Sequence, residues 1–205
     1  MKRPLIISLI SGGLAAASLT GCGVGPVAKP AGSITVYLMP IGPVPQAQLD
    51  AAAAEVGTFN LQFVTLEPIP IDNALGDLDR RQLMAERVTT RLYSEARGRG
   101  LDADQLVFGI TQADLFLGQH PDHRWVFAYQ APSQTVTVIS TARMNPLASG
   151  QPADEGLLES RLRKYVARNL THLVLRRDWS TDRKCVTYRR IEGVDDLDAL
   201  GTARC

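Results

Sequence analysis

Apolar and polar positions change their spacing several times along the chain, and each change marks an element. In "SITVYLM", residues 33–39, β-branched and aromatic residues alternate with others, which predicts a first strand. "PQAQLDAAAAEVG", 45–57, predicts a short helix ended by Gly57. "NLQFVTLE", 60–67, predicts a second strand, and the Pro-rich "PIPIDNALG" a loop. "DLDRRQLMAERVTTRLYSEARG", 77–98, predicts a strong helix, with Leu83, Arg87 and Leu92 at helical spacing and Gly98 as its stop. "QLVFGIT", 105–111, is a short apolar strand and "QADLFLGQHPDH" a polar loop. "RWVFAYQ", 124–130, and "QTVTVISTARM", 134–144, are two strands joined by a turn. After the loop "NPLASGQPADEG" a long helix is expected over 157–177, followed by a mostly irregular tail. The order β-α-β-α-β-β-β, then helix and tail, predicts an α/β (α+β) domain, a mixed sheet of about five strands with helices packed on it.

The chain starts differently. Lys2 and Arg3 precede an apolar run from Leu5 to Leu19, too short to span a bilayer comfortably and broken by Gly12-Gly13. It ends in Leu19-Thr20-Gly21-Cys22, which resembles a bacterial lipobox, where the cysteine becomes lipid-modified. Residues 1–21 are therefore expected to be a lipoprotein signal peptide. Residues 22–32, rich in Gly and Pro, are expected to be a lipidated N-terminus and tether, and 33–205 one folded domain. Gly23 is not aspartate, so resemblance to Gram-negative lipoproteins implies the cell envelope, at an outer membrane facing the periplasm.

Charge adds little at the scale of the chain. Without Lys2 and Arg3, 20 basic residues stand against 21 acidic ones, so net charge names no partner. Locally, Arg161 to Arg190 holds ten Arg/Lys against two Asp, either a solvated helix face or a surface for an anionic envelope polymer. Aromatic interleaving of the kind that binds single-stranded nucleic acid is missing, so no nucleic-acid partner is expected. With Cys22 taken by lipid, Cys185 and Cys205 form an even pair in an oxidising compartment, which suggests a disulfide.

"DRRQLMAERVTTRL", "LVFGITQADLF", "RWVFAYQ", "VTVISTARMNP", "SRLRKYVARNLTHLVLRRD" and "CVTY", in that order, together resemble the archaemetzincin family of zinc peptidases. The resemblance runs from about Ser33 to the end and implies a zincin-like single domain. Its active-site helix would be 157–177 under a twisted sheet, with an edge strand beside the cleft. The family's helix carries H-E-x-x-H-x-x-G-x-x-H. Two histidines at i and i+4 project from one face onto a zinc, and the glutamate takes a proton from zinc-bound water. On this chain the pattern falls on Arg168, Asn169, His172, Leu175 and Asp178. Arginine offers only donors, and asparagine cannot hold a proton as a base. The methionine expected beneath the metal falls near Thr187. The family's second zinc site uses cysteines after the helix. Cys185 and Cys205 match two of them, while Trp179 and Thr202 stand where others would be. Two thiolates make a poor structural zinc site, whereas a disulfide would clamp the same tail.

The resemblance thus implies no intact catalytic set, with Arg168, Asn169, His172 and Asp178 as degenerate positions. No cofactor is expected. His172, Asp178, His120 and His123 are the weak candidates for a rebuilt zinc site, and Asp122 lies between the last two in "GQHPDH". Arg168 and His172 should share one cleft, with Asp178 as a carboxylate that Arg168 could receive. Trp125, Phe127 and Tyr129, expected on one face of the edge strand, are candidates for binding an extended peptide. Three readings follow: an inactive, archaemetzincin-like lipoprotein that binds a peptide or envelope protein; a divergent zinc peptidase using His172, Asp178 and a ligand from elsewhere; and a structural envelope lipoprotein. In each, Cys22 is the link to the membrane.

Overall fold

The computed structural model describes residues 34–205 apart from 78, 121, 133 and 134. The expected signal peptide, the lipidation at Cys22 and the tether lie outside the described residues.

The longest strand, β1 (Thr35–Ile41), is buried at every position. Its side chains alternate between two cores, as the twofold period of a strand dictates. Val36 and Leu38 enter one, and Tyr37, Met39 and Ile41 the other. The first core is closed by α1 (Gln46–Gly57) and α3 (Glu155–Leu173), through Leu49, Ala52 and Val56, and Leu158, Leu162 and Val166. The second is closed by α2 (Ala85–Gly98) through Val88, Leu92 and Ala96.

With β2 (Gln62–Thr65), β5 (Leu106–Thr111), β7 (Ala128–Gln130) and β8 (Val136–Ser140), β1 forms a five-stranded sheet in the order β2-β1-β5-β8-β7. The first four run parallel, and β7 is an antiparallel edge strand. Helices on both faces explain why β5 and β8 are buried at every position. Gly109 of β5 lets α2 approach, because a Cβ there would collide with Leu92 and Ile41. The fold is the mixed α/β arrangement expected.

Several local expectations are corrected. Residues 77 and 79–84 are not helical. β3 (Gly76–Asp77) and β4 (Gln82–Met84) form a hairpin, joined to β6 (Leu115–Phe116) in a small second sheet. The Asp77 carboxylate accepts the N–H groups of Asp79 and Arg80, and Arg81 is left-handed at φ 54°, so the turn outcompetes the helix. The supposed polar loop 112–123 therefore contains a strand.

Only 128–130 of "RWVFAYQ" joins the large sheet, since Val126 bonds instead to Leu115. The alternation consequently breaks. Phe127 is buried in the first core with Trp125 against it, while Tyr129 packs on the second. The three aromatic residues do not share a face. The tail is not wholly irregular either, because α4 (Val194–Asp198) packs on α3. No described helix is long and apolar enough to cross a membrane.

Candidate functional site

The site is organised by α3. Asp154 caps its start, accepting the Leu157 N–H at 2.9 Å. The helix stops at Leu173 rather than Arg177. Arg176 adopts φ 53°, and the Arg177 N–H returns to the Thr171 carbonyl at 3.3 Å. Leu175 falls on the family's glycine, but the left-handed residue is its neighbour.

Arg168 and His172 share a helical face as expected, yet the side chain they meet is Trp179. The Arg168 guanidinium lies 4.3 Å over the indole, and the His172 ring stacks on it at 4.1 Å. Arg168 is only 9% exposed and donates to the Tyr188 carbonyl. Burial pulls its pKa below the usual arginine value. Asp178 is exposed, so the carboxylate expected against Arg168 is replaced by a carbonyl and aromatic faces. Asn169 is buried, and its amide donates to the Tyr165 carbonyl at 2.8 Å. His172 Nδ1 lies 2.8 Å from the Arg177 carbonyl, which can only accept, so Nδ1 carries a hydrogen.

A cleft of about 550 Å³ opens one turn back along the helix. One wall is the segment from Asp122 to Ala128, leading into the edge strand β7, and the other is Tyr165, Ile191 and Glu192. Burial pushes the Tyr165 hydroxyl up to about 12. Neither Arg168 nor His172 lines this cleft, which corrects their expected place in it. Of the aromatic candidates, Trp125 and Phe127 line it and Tyr129 does not. His120 and His123 are exposed with ring centroids 5.7 Å apart, and only His123 reaches the cleft.

The wall is anchored by residues that sequence reasoning missed. Gln82 donates to Asp114 and to the Arg124 carbonyl, both at 2.9 Å. Arg143 binds Asp114 at 2.6 and 3.0 Å and lies 5.6 Å from the Trp125 ring centre. That hydrogen bond holds the Arg143 guanidinium above its usual pKa. No sequence signal marks such partners, which come from four different segments.

The opposite wall is fixed through Arg161, 1% exposed, which grips Asp198 at 2.6 and 2.7 Å and the Met144 carbonyl at 2.7 Å. This hydrogen bonding lowers the pKa of Asp198. Cys185 and Cys205 form the expected disulfide, with Cα atoms 5.4 Å apart. Another groove, about 480 Å³, runs along Arg163, Lys164 and Arg204. Its cations are already engaged by Glu159, by the Leu197 and Asp198 carbonyls, and by Thr58.

A mostly parallel sheet with an antiparallel edge strand, lying over a long helix with a cleft beside it, is a zincin-like fold. No family model matches the chain. It is 26% identical over 159 residues to an archaemetzincin of Pyrococcus furiosus, covering 75% of this chain and 79% of that protein. A zinc-dependent peptidase from Methanocorpusculum labreanum superimposes with a TM-score of 0.72 at 20% identity, over 83% of this chain and 95% of that one. An archaemetzincin from Archaeoglobus fulgidus, complexed with malonate, gives 0.66 at 20% identity over 84% and 96%. The chain is archaemetzincin-like, in sequence and in fold.

These relatives correct the expectation of a chain without a cofactor, because they point to zinc. The residues of α3 do not carry the H-E-x-x-H pattern that the resemblance implies. Among the described residues no group of three or more His, Cys, Asp or Glu could hold a metal ion. His172 carries the one imidazole on the helix, Arg168 has no lone pair to give a metal, and Asp178 is exposed.

Proposed function

We propose that this archaemetzincin-like protein is a catalytically inactive binder of extended peptide segments, held in the cell envelope by a lipid on Cys22. The observation that carries the reading is the commitment of Arg168 and Asn169. One is buried against Tyr188 and Trp179, the other donates within its own helix, and neither accepts a proton. Hydrolysis lacks its base whether or not zinc is present. The peptide cleft persists beside them. Its edge strand offers outward backbone groups to an added strand, and Trp125 and Ile191 offer apolar contact on the two walls. A peptide partner, an envelope location and the 22–32 tether all rest on this reading.

Fluorescence anisotropy of a labelled, Val- and Thr-rich octapeptide tests it. Saturable binding is expected, weakened about ten-fold or more by Trp125→Ala or Ile191→Glu. Binding unchanged in both variants, with Tm retained, would place the peptide elsewhere. No binding at all would leave the purely structural lipoprotein as the better account.

A further inference from the structure

The turn after α3 exposes two large apolar side chains four residues apart, Leu175 at 42% and Trp179 at 39%. Trp179 is held in a fixed attitude, because Arg168 and His172 both stack on it. Arg176 and Arg177 flank the same turn. The backbone then delivers two more arginines: the Ser180 N–H bonds to the Thr187 carbonyl at 3.0 Å, and the Arg189 N–H to the Ser180 carbonyl at 2.9 Å. Ser180 and Tyr188 pair as a parallel bridge, so Arg189 and Arg190 run on alongside Thr181 and Asp182, two and three residues past Trp179.

All four arginines are exposed, and their guanidinium groups make no ion pair or hydrogen bond among the described residues. Other cations of the region are engaged: Arg161 with Asp198, Arg163 with Glu159 and Arg183 with Asp196. Asp178, also exposed, and Asp182, which takes the Lys184 N–H, are the carboxylates within this turn and its approach.

We infer that this face, centred on Trp179 and Leu175 and rimmed by Arg176, Arg177, Arg189 and Arg190, docks on an anionic phospholipid surface. The chemistry selects that occupant. Indole rings settle at headgroup depth, an aliphatic side chain reaches the acyl boundary, and arginines pair with headgroup phosphates. An acidic soluble polymer would satisfy the arginines but leave the central apolar pair in water. The lipid expected on Cys22 would independently bring the domain to a membrane. The inference is separate from the peptide reading, since none of these six residues lines the 550 Å³ cleft.

The test uses the full chain with vesicles whose acyl chains are brominated, either neutral phosphatidylcholine or the same lipid with about one third phosphatidylglycerol. The signal is the part of tryptophan quenching that disappears in Trp179→Phe. That part is expected with anionic vesicles, is expected to be absent with neutral ones, and falls away in high salt. Arg189→Gln combined with Arg190→Gln should raise the lipid concentration for half-quenching about ten-fold or more. The same variant should bind the octapeptide unchanged, so failure here and failure of the peptide reading are distinguishable. Equal quenching by both vesicle types, or by neither, would overturn the inference. So would full competition by soluble polyglutamate with no quenching of Trp179.

Discussion

At the scale of single residues, the decisive feature is what two i, i+4 neighbours touch. Arg168 is buried, and removing it leaves the Tyr188 carbonyl without its donor and Trp179 with His172 alone against it. Arg168→Ala should cost about 2 kcal/mol by chemical denaturation. An effect within experimental error would show that the stack is ornamental. Thr187 makes the reverse prediction. It is fully buried near where the resemblance places the family's methionine, and its hydroxyl has no hydrogen-bond partner among the described residues. Thr187→Val should be neutral or stabilising by about 1 kcal/mol. A clear loss of Tm would mean that a partner for the hydroxyl has been overlooked. The shared face of Arg168 and His172 was legible from spacing alone. Trp179 was not, because it arrives through a turn whose left-handed residue is an ordinary arginine.

At the scale of elements, legibility tracked burial. β1, β5 and β8 were readable because they are rich in β-branched and aromatic residues and buried at every position. The first third of the predicted 77–98 helix failed because helix-friendly residues there are overruled by the Asp77 turn. "RWVFAYQ" reads as one strand but divides between two sheets, so its aromatic residues part company. Long-range pairing of this kind leaves no local trace.

The tail behaves as an element of its own. Gly201 lies against the Lys184 backbone, where a Cβ would collide with the carbonyl, and the Gly201 N–H bonds to the Arg183 carbonyl at 2.9 Å. Gly201→Ala is expected to lower stability by about 2 kcal/mol or more. Reduction of Cys185–Cys205, separated by 20 residues, should cost about 3 kcal/mol. Thermal unfolding with and without reductant checks both, and unaltered curves would show that the tail is held without them.

At the scale of the whole molecule, Arg161 and Asp198 join the tail to α3, and so hold Ile191 and Glu192 across from the edge strand. Asp198 has a depressed pKa in the fold, so its contribution is complete above the unfolded carboxylate value near about 4 and is lost as pH falls through the lower folded value. Asp198→Asn should therefore reduce Tm at neutral pH, and the gap from the parent should close below about pH 4. A gap independent of pH would refute the charge assignment.

The central claim is that a zinc-peptidase frame survives here without peptidase chemistry. It is tested most directly by casein hydrolysis with the purified full chain, supplied with zinc and, in parallel, with a chelator. The account predicts no chelator-sensitive hydrolysis under either condition, since Asn169 donates to Tyr165 and accepts no proton. Robust hydrolysis that zinc supports and the chelator abolishes would contradict it.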